Sequence, residues 1–196
     1  MPLEIALAER APATERDLIL RTQAGDPAAF GELVERYMRR AYFAALGLVG
    51  SHEDALDLSQ EAFARAYRAR KRIDPDLPFY AWLYQILRRL CFNFNRDRRL
   101  RRDRLREARD WLAGQITQRT AARGPERCAE RAECRRRVQA AIAELNARDR
   151  EILVLREFEG LKYREIADLL GIPIGTVMSR LYSARRHLAG VLEEET

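Results

Sequence analysis

Lysine is almost missing from this chain of 196 residues. Only two of its 36 basic residues are lysines, Lys71 and Lys162, and all the others are arginines. A guanidinium fork meets phosphate and guanine in bidentate fashion, so a positive charge carried almost wholly by arginine suits a polyanionic partner better than it suits simple solubility. Histidine is also scarce, with His52 and His187 alone. The three cysteines, Cys91, Cys128 and Cys134, are odd in number and lack metal-ligand spacing. A disulfide framework and a zinc site are therefore not expected, and the thiols fit a reducing cytoplasm. No apolar run approaches the ~20 residues of a membrane span. The first residues lack a basic start followed by an apolar core, so no secretory leader is expected. A nucleophile–base pair, a phosphate-binding loop and a carboxylate cluster are likewise missing. The chain is expected to be no enzyme and to need no cofactor. Any membrane signal must reach it through another molecule, without direct membrane insertion.

Strand patterns are almost absent too, and helical periodicity is nearly everywhere, so the fold class is all-α. Residues 1–16 read as a flexible arm. From Asp17 the pattern becomes regular, and Phe30, Leu33, Val34, Tyr37, Ala41, Ala44, Ala45 and Leu48 recur at the three-and-four spacing of a buried helical face. Gly50 ends that helix. Ser51 and Asp54 resemble a capping box that opens the next one, expected to run to about Lys71. Residues 73–78 form a two-proline loop, and Pro78 begins a third helix with Phe79, Trp82, Leu83, Ile86 and Leu90 on one face. Trp82 is expected in the core. Eight arginines and three acids then fill residues 96–109. Residues 103–136 read as a charged, partly helical linker that forms no core. Compact helical character returns at Val138. Asn146 caps a helix expected over 147–159, Gly160 ends it, and a short helix spans Tyr163–Leu170. Gly171 turns the chain, and Pro173 opens a last helix to about Leu188. The expected layout is two small helical domains, 17–102 and 137–196, joined by the linker.

The last two helices form a helix-turn-helix pattern. Tyr163, Ile166, Ala167 and Leu170 face inward on the first, and Val177, Leu181, Ala184 and Leu188 on the second. At about 100° per residue, Ser179, Tyr182, Ser183 and Arg186 then point outward, with Thr176 and Arg180 on one flank and Arg185 on the other. That stripe holds hydroxyls, an aromatic ring and cations but no acid, which suits base edges and phosphates in a major groove. A plain amphipathic pair with a solvated face is the blander alternative. By itself the motif does not separate a repressor from other DNA-binding classes.

The N-terminal half is different. Ala55, Leu58, Ala62 and Ala66 form an inner face, and Asp57, Gln60 and Glu61 an acidic outer one, which on a basic chain points to a protein partner. The third helix sets aromatic residues inside and Arg88, Arg89, Asn93, Asn95 and Arg96 outside, a combination suited to single-stranded nucleic acid. Of Phe79, Tyr80, Trp82, Tyr84, Phe92 and Phe94, most are expected in the core.

Four ordered motifs carry a resemblance. They are Asp26, Pro27, Ala28, Ala29, Phe30, Leu33 and Tyr37; Glu53, Asp54, Ala55, Asp57, Leu58, Gln60, Glu61 and Phe63; Phe79, Trp82, Leu83, Tyr84 and Ile86; and the run from Gly171 to Arg180. Over about residues 25–100 and 138–190 the chain resembles the extracytoplasmic-function (ECF) group of bacterial sigma factors. The resemblance implies a sigma2-like bundle and a sigma4-like helix-turn-helix. It implies that the chain binds core RNA polymerase at the large-subunit clamp and flap, recognises the −35 and −10 promoter elements, and assists melting. In that light Asp57, Leu58, Gln60, Glu61 and Phe63 grip the clamp. Lys71, Arg72, Asp74 and Asp76 belong to a loop that captures a flipped −10 base, and Arg88, Arg89, Asn93 and Arg96 line the same DNA. Arg156, Thr176, Met178, Ser179, Arg180, Tyr182, Ser183, Arg185 and Arg186 serve the −35 element. Arg89 stands where many members carry asparagine, Met178 and Ser183 stand where some carry arginine, and Asn146 replaces a frequent proline. No extra domain follows residue 196, so a separate anti-sigma factor is expected to regulate the chain.

Two other classes stay open at this level. A stand-alone helix-turn-helix regulator predicts a palindromic site and binding without polymerase. An enzyme acting on nucleic acid needs more metal-binding carboxylates than Asp74 and Asp76 supply.

Overall fold

The computed structural model describes residues 14–113, 140–142 and 144–193. All regular structure among the described residues is helical. The expectations for the first thirteen residues, for most of the linker and for Cys128 and Cys134 lie outside them.

Local chemistry sets the helix boundaries. Thr14 caps α1 (Glu15–Gln23), its hydroxyl accepting from the Asp17 amide at 3.2 Å. Asp26 caps α2 (Pro27–Val49) by accepting from the amides of Ala28 and Ala29 at 2.9 and 3.3 Å, and Pro27 adds its pre-set φ at the first position. The Arg21 guanidinium, 2.6 Å from Asp26, and those amides hold the carboxyl below its ordinary range. Gly50 closes α2 in the left-handed region at φ 73°, a conformation that a side chain disfavours. Ser51 caps α3 (His52–Arg68) through the Asp54 amide. This helix stops three residues before Lys71, because the chain tightens into a 3-10 turn over Arg70–Arg72.

The helix α4 (Phe79–Ala113) is 35 residues long, about 50 Å at the helical rise. It runs into the segment expected as linker. From Arg96 to Ala113 there is neither glycine nor proline, and arginine, leucine, alanine and glutamate are all strong helix formers. Gly114 is the first residue to break the run.

The N-terminal helices enclose an aromatic cluster. Phe30 meets Phe63 and Phe79 edge-on at 6.4 and 6.5 Å between ring centroids, and Tyr37 stacks on Tyr80 at 5.8 Å. Leu18, Ile19, Leu33, Leu83 and Leu87 fill the space around it, each fully buried. Each such side chain contributes about 1.5–3 kcal/mol of burial free energy. Tyr84 and Phe79 are the largest fully buried side chains, whereas Trp82 is only half-buried. Its position one turn before Ile86 puts it at the edge of the buried face, not in its centre.

Asn146 caps α5 (Ala147–Leu153), accepting from the amides of Arg148 and Asp149 at 3.1 and 3.0 Å. The expected single helix over 147–159 does not persist in α form. Val154–Phe158 widens into a π-helical turn, sealed by the Glu159 amide donating to the Val154 carbonyl at 3.2 Å. Gly160 reverses the chain at φ 68°. Then come α6 (Tyr163–Leu170), the Gly171 turn and α7 (Ile174–Glu193), which outlasts its expected end at Leu188.

The two helical groups are packed together. Helix α2 lies against α5 and the π turn, α4 is joined to them by side-chain hydrogen bonds, and Val154, fully buried, crosses α2 at Gly47.

Candidate nucleic-acid and polymerase interfaces

The outer stripe of α7 exists because its inner stripe is committed. Val177, Leu181 and Ala184 are buried against α5 and α6. Ser179, Tyr182, Ser183, Arg185 and Arg186 are consequently exposed, and Thr176 and Arg180 are half-buried on the flank. Tyr182 is 68% exposed, and Met178 and Ile174 are about half exposed. For a soluble helix this is an apolar investment that a groove can use and water does not reward. The Ser179 hydroxyl donates to the Thr176 carbonyl at 3.1 Å, one local bond that a base edge can compete for.

Two cations of this group have internal partners. Arg185 donates to Glu157 of the π turn at 2.6 Å, and that carboxylate raises its pKa. The helix α7 stripe carries no acid of its own, but the π turn brings Glu157 beside it. Arg156 donates to the Leu161 carbonyl at 3.0 Å and lies over the Tyr163 ring at 5.2 Å. Those contacts hold its guanidinium near the start of α6, half-exposed.

On α4, Arg89, Asn93 and Arg96 are exposed and spaced to share one helical face. Arg88 leaves that set. Its guanidinium makes two hydrogen bonds to Glu151 of α5, the one from Nη2 to Oε2 measuring 3.0 Å. Asn95, also expected outside, instead donates to the Leu48 carbonyl at 3.0 Å. Lys71 and Arg72 are exposed on the 3-10 turn. In the loop after it, Asp74 accepts from the Asp76 amide at 2.9 Å and Asp76 accepts from Arg16 at 2.9 Å. These bonds tie the loop to itself and to the first turn of α1.

On α3, Asp57 and Gln60 are exposed and Leu58 is half-buried. Glu61 accepts from Arg65 at 2.7 Å, and that contact holds its carboxyl below the ordinary range. Phe63 does not belong to this surface. It is 3% exposed and packs on Phe30, because it stands one turn after buried Ser59 on the inner side. Leu56, missed in the sequence, is 40% exposed beside Asp57 and Gln60 and adds an apolar centre to the patch. The three-and-four count from Gln60 back to Leu56 is the signal that finds it.

The other residues missed are those between the helical groups. Glu151 accepts from the Tyr84 hydroxyl at 3.1 Å as well as from Arg88. Glu159 accepts from Arg40 at 2.7 Å and from the Tyr80 hydroxyl at 2.6 Å. Burial and these carboxylates push the Tyr80 and Tyr84 phenols well up. Arg150 donates to the Leu48 carbonyl at the end of α2 and to the Ile142 and Leu145 carbonyls.

Comparison with known proteins bears directly on this arrangement. The family model described as Sigma-70 region 2 matches residues 33–109, and that described as Sigma-70, region 4 matches residues 135–188. The chain is 35% identical to the RNA polymerase sigma-H factor of Pseudomonas aeruginosa over 91% of its own length and 94% of that protein. It is 35% identical to the ECF RNA polymerase sigma-E factor of Escherichia coli K12 over 88% of its length and 91% of that protein. Among solved structures, CnrH in complex with the cytosolic domain of CnrY superposes with a TM-score of 0.68 at 27% identity, covering 93% of this chain and 99% of that one. The sigma factor RpoE in complex with the anti-sigma factor NepR from Bartonella quintana superposes with a TM-score of 0.56 at 26% identity, over 84% of this chain and 96% of that one. With both sigma regions present in order, and relatives matched along nearly their whole lengths, the chain belongs to the ECF group of RNA polymerase sigma factors.

Proposed function

We propose that the chain holds core polymerase through the α3 surface of Leu56, Asp57, Leu58, Gln60 and Glu61, and grips a promoter at two separated places. The exposed face of α7 reads the −35 duplex. The Arg89, Asn93 and Arg96 face of α4 and the loop over residues 71–76 hold the melted −10 strand. The division of labour is 17–102 for polymerase and the −10 element and 137–196 for the −35 element, with 103–136 as the strap. The single observation that carries this reading is the acid-free outer face of α7, on which Ser179, Tyr182, Ser183, Arg185 and Arg186 are exposed.

In this reading the chain makes and breaks no covalent bonds. Its contacts offset the few kcal/mol that unstacking a base costs. It acts in the cytoplasm, where polymerase is, and a separate anti-sigma factor restrains it; the two structural relatives solved with partners, CnrH with CnrY and RpoE with NepR, support that expectation. A stand-alone regulator has no use for the α3 patch. Co-elution of purified chain with core polymerase tests the reading. Wild type is expected to co-elute, and Asp57→Arg combined with Gln60→Arg is expected to fail; if the double variant co-elutes as well as wild type, the α3 surface is not the contact.

A further inference from the structure

The loop between the 3-10 turn and α4 has little backbone bonding of its own. Pro75 and Pro78 bring no amide to donate. The Leu77 amide reaches the Asp74 carbonyl at 3.3 Å, and the Asp74 carboxylate accepts from the Asp76 amide. Asp74, Asp76, Leu77 and Pro78 are all exposed. A segment of this kind, left to itself, samples many shapes, and ordering each residue on a ligand costs conformational entropy.

Helix α1 supplies the missing bonds. Gln23, its last residue, donates from Nε2 to the Ile73 carbonyl at 2.7 Å, where the loop begins. Glu15, its first residue, accepts from the Phe79 amide at 2.8 Å, where the loop ends, and from the Tyr37 hydroxyl through its other oxygen. Pro78, just before α4, has no side-chain acceptor for that helix's free amides, so a carboxylate from another helix takes the capping role. Arg16 holds the outer part of the loop through Asp76 at 2.9 Å. That pair is more than half exposed on both sides and is weak alone. The helix itself is firmly seated, with Leu18 and Ile19 fully buried and Arg21 on Asp26 at 2.6 Å. It is nine residues long, so its first and last residues stand about 12 Å apart. The chain from Ile73 to Phe79 can extend to about 20 Å, so a loop tied to both ends of α1 must bow outward.

Ile73 and Phe79 are themselves buried, which also pins the ends of the loop. Apolar burial is non-directional, however, and leaves the backbone free to turn. The bonds from Gln23 and to Glu15 fix the direction of a carbonyl at one end and an amide at the other. We infer that α1 is the positioning strut of the base-holding loop. Gln23 and Glu15 set its two ends and Arg16 its outer turn, so the loop has its shape before the melted strand arrives and discriminates more sharply among bases at the extruded position. Rigidity present before binding removes an ordering cost from the complex. The three are positioning residues that act through the loop. The inference rests on the proposed role of the loop in holding the −10 strand, but the seating of the loop on α1 does not.

The test uses the full chain and two pairs of variants. Gln23→Met keeps the reach and loses the donor, whereas Gln23→Lys restores a donor. Glu15→Ala loses the acceptor, whereas Glu15→Gln keeps one. Hydrogen exchange in the free chain reads the loop over residues 71–80. Gln23→Met and Glu15→Ala are expected to exchange there about two- to tenfold faster than wild type, the span of one lost hydrogen bond, and the conservative variants to stay near wild type. Each chain is then mixed with core polymerase and used to enrich a pool of single strands carrying ten randomised nucleotides. Gln23→Met and Glu15→Ala are expected to lose about two- to tenfold of the base preference at one position and to keep the preferences elsewhere. Gln23→Lys and Glu15→Gln are expected to retain it. Unchanged exchange overturns the strut and leaves the proposed function standing. Faster exchange with unchanged preference, or a loss spread evenly over every position, overturns the positioning role. No enrichment by wild type removes the loop from strand binding, and the inference falls with that reading even where the exchange result holds.

Discussion

Arg88 and Glu151 are 63 residues apart in sequence and share two hydrogen bonds, with the carboxylate fully buried and the guanidinium one-third exposed. Removing one partner strands the other. Arg88→Ala leaves Glu151 with the Tyr84 hydroxyl alone. We expect a loss of about 3 kcal/mol in urea unfolding, the low end of the range for a broken buried pair, because Arg88 keeps some solvent. Arg88→Met combined with Glu151→Leu is expected to lose much less. A double variant as unstable as the sum of the singles shows that the two side chains are not coupled.

The phosphate and base roles on the C-terminal group separate by salt. Arg180→Ala is expected to reduce the salt dependence of promoter binding by about one unit and to leave base preference unchanged. Arg156→Ala is expected to do the same and also to cost about 1 kcal/mol of stability, from its bond to the Leu161 carbonyl. An unaltered slope of log affinity against log salt removes either arginine from the DNA contact.

Ser179→Ala or Tyr182→Ala instead acts on sequence. Each is expected to change discrimination at an upstream base by roughly 1–3 kcal/mol. Selection from randomised promoters is the measurement, and recovery of the wild-type upstream motif by both variants contradicts the assignment of the α7 face.

Alkaline pH acts on the core. Burial raises the Cys91 thiol from its ordinary 9.0 to about 12, and burial together with Glu15 raises the Tyr37 phenol from 10.0 to about 12. Both groups are neutral acids with folded pKa values above the unfolded ones. Their contribution is therefore complete below about pH 9 and is lost as pH rises toward 12. The urea midpoint is expected to fall across that window, and to fall less in Tyr37→Phe. A midpoint that stays flat to pH 11 contradicts the burial of these groups.

Much of this architecture is legible in the chain because it is local. Ser51 and Asn146 cap helices with their own side chains, Gly50 and Gly171 end them, and the α7 faces follow from spacing within one helix. What escapes reading is decided across the fold. Phe63 belongs to the same motif as Asp57 and is expected with it at the surface, whereas its packing on Phe30, a residue of another helix, holds it inside. The helical part of the expected linker is seen as the end of α4, where the charge-dense stretch is built from excellent helix formers, but how far the helix runs is not marked by any local signal before Gly114. The π turn is a widening whose outcome, Glu159 beside Arg40, involves a residue 119 positions away. Nothing in the local pattern near Glu151 points to Arg88, so the contact between the groups could be found only in three dimensions.

Multiple-round transcription on a library of promoter fragments shows most directly whether this chain directs polymerase to promoters. Core polymerase with the purified chain is expected to yield transcripts from a subset of fragments sharing two spaced elements, and core alone is expected to yield none from them. Transcripts independent of the added chain, or none with it at any fragment, contradict the account.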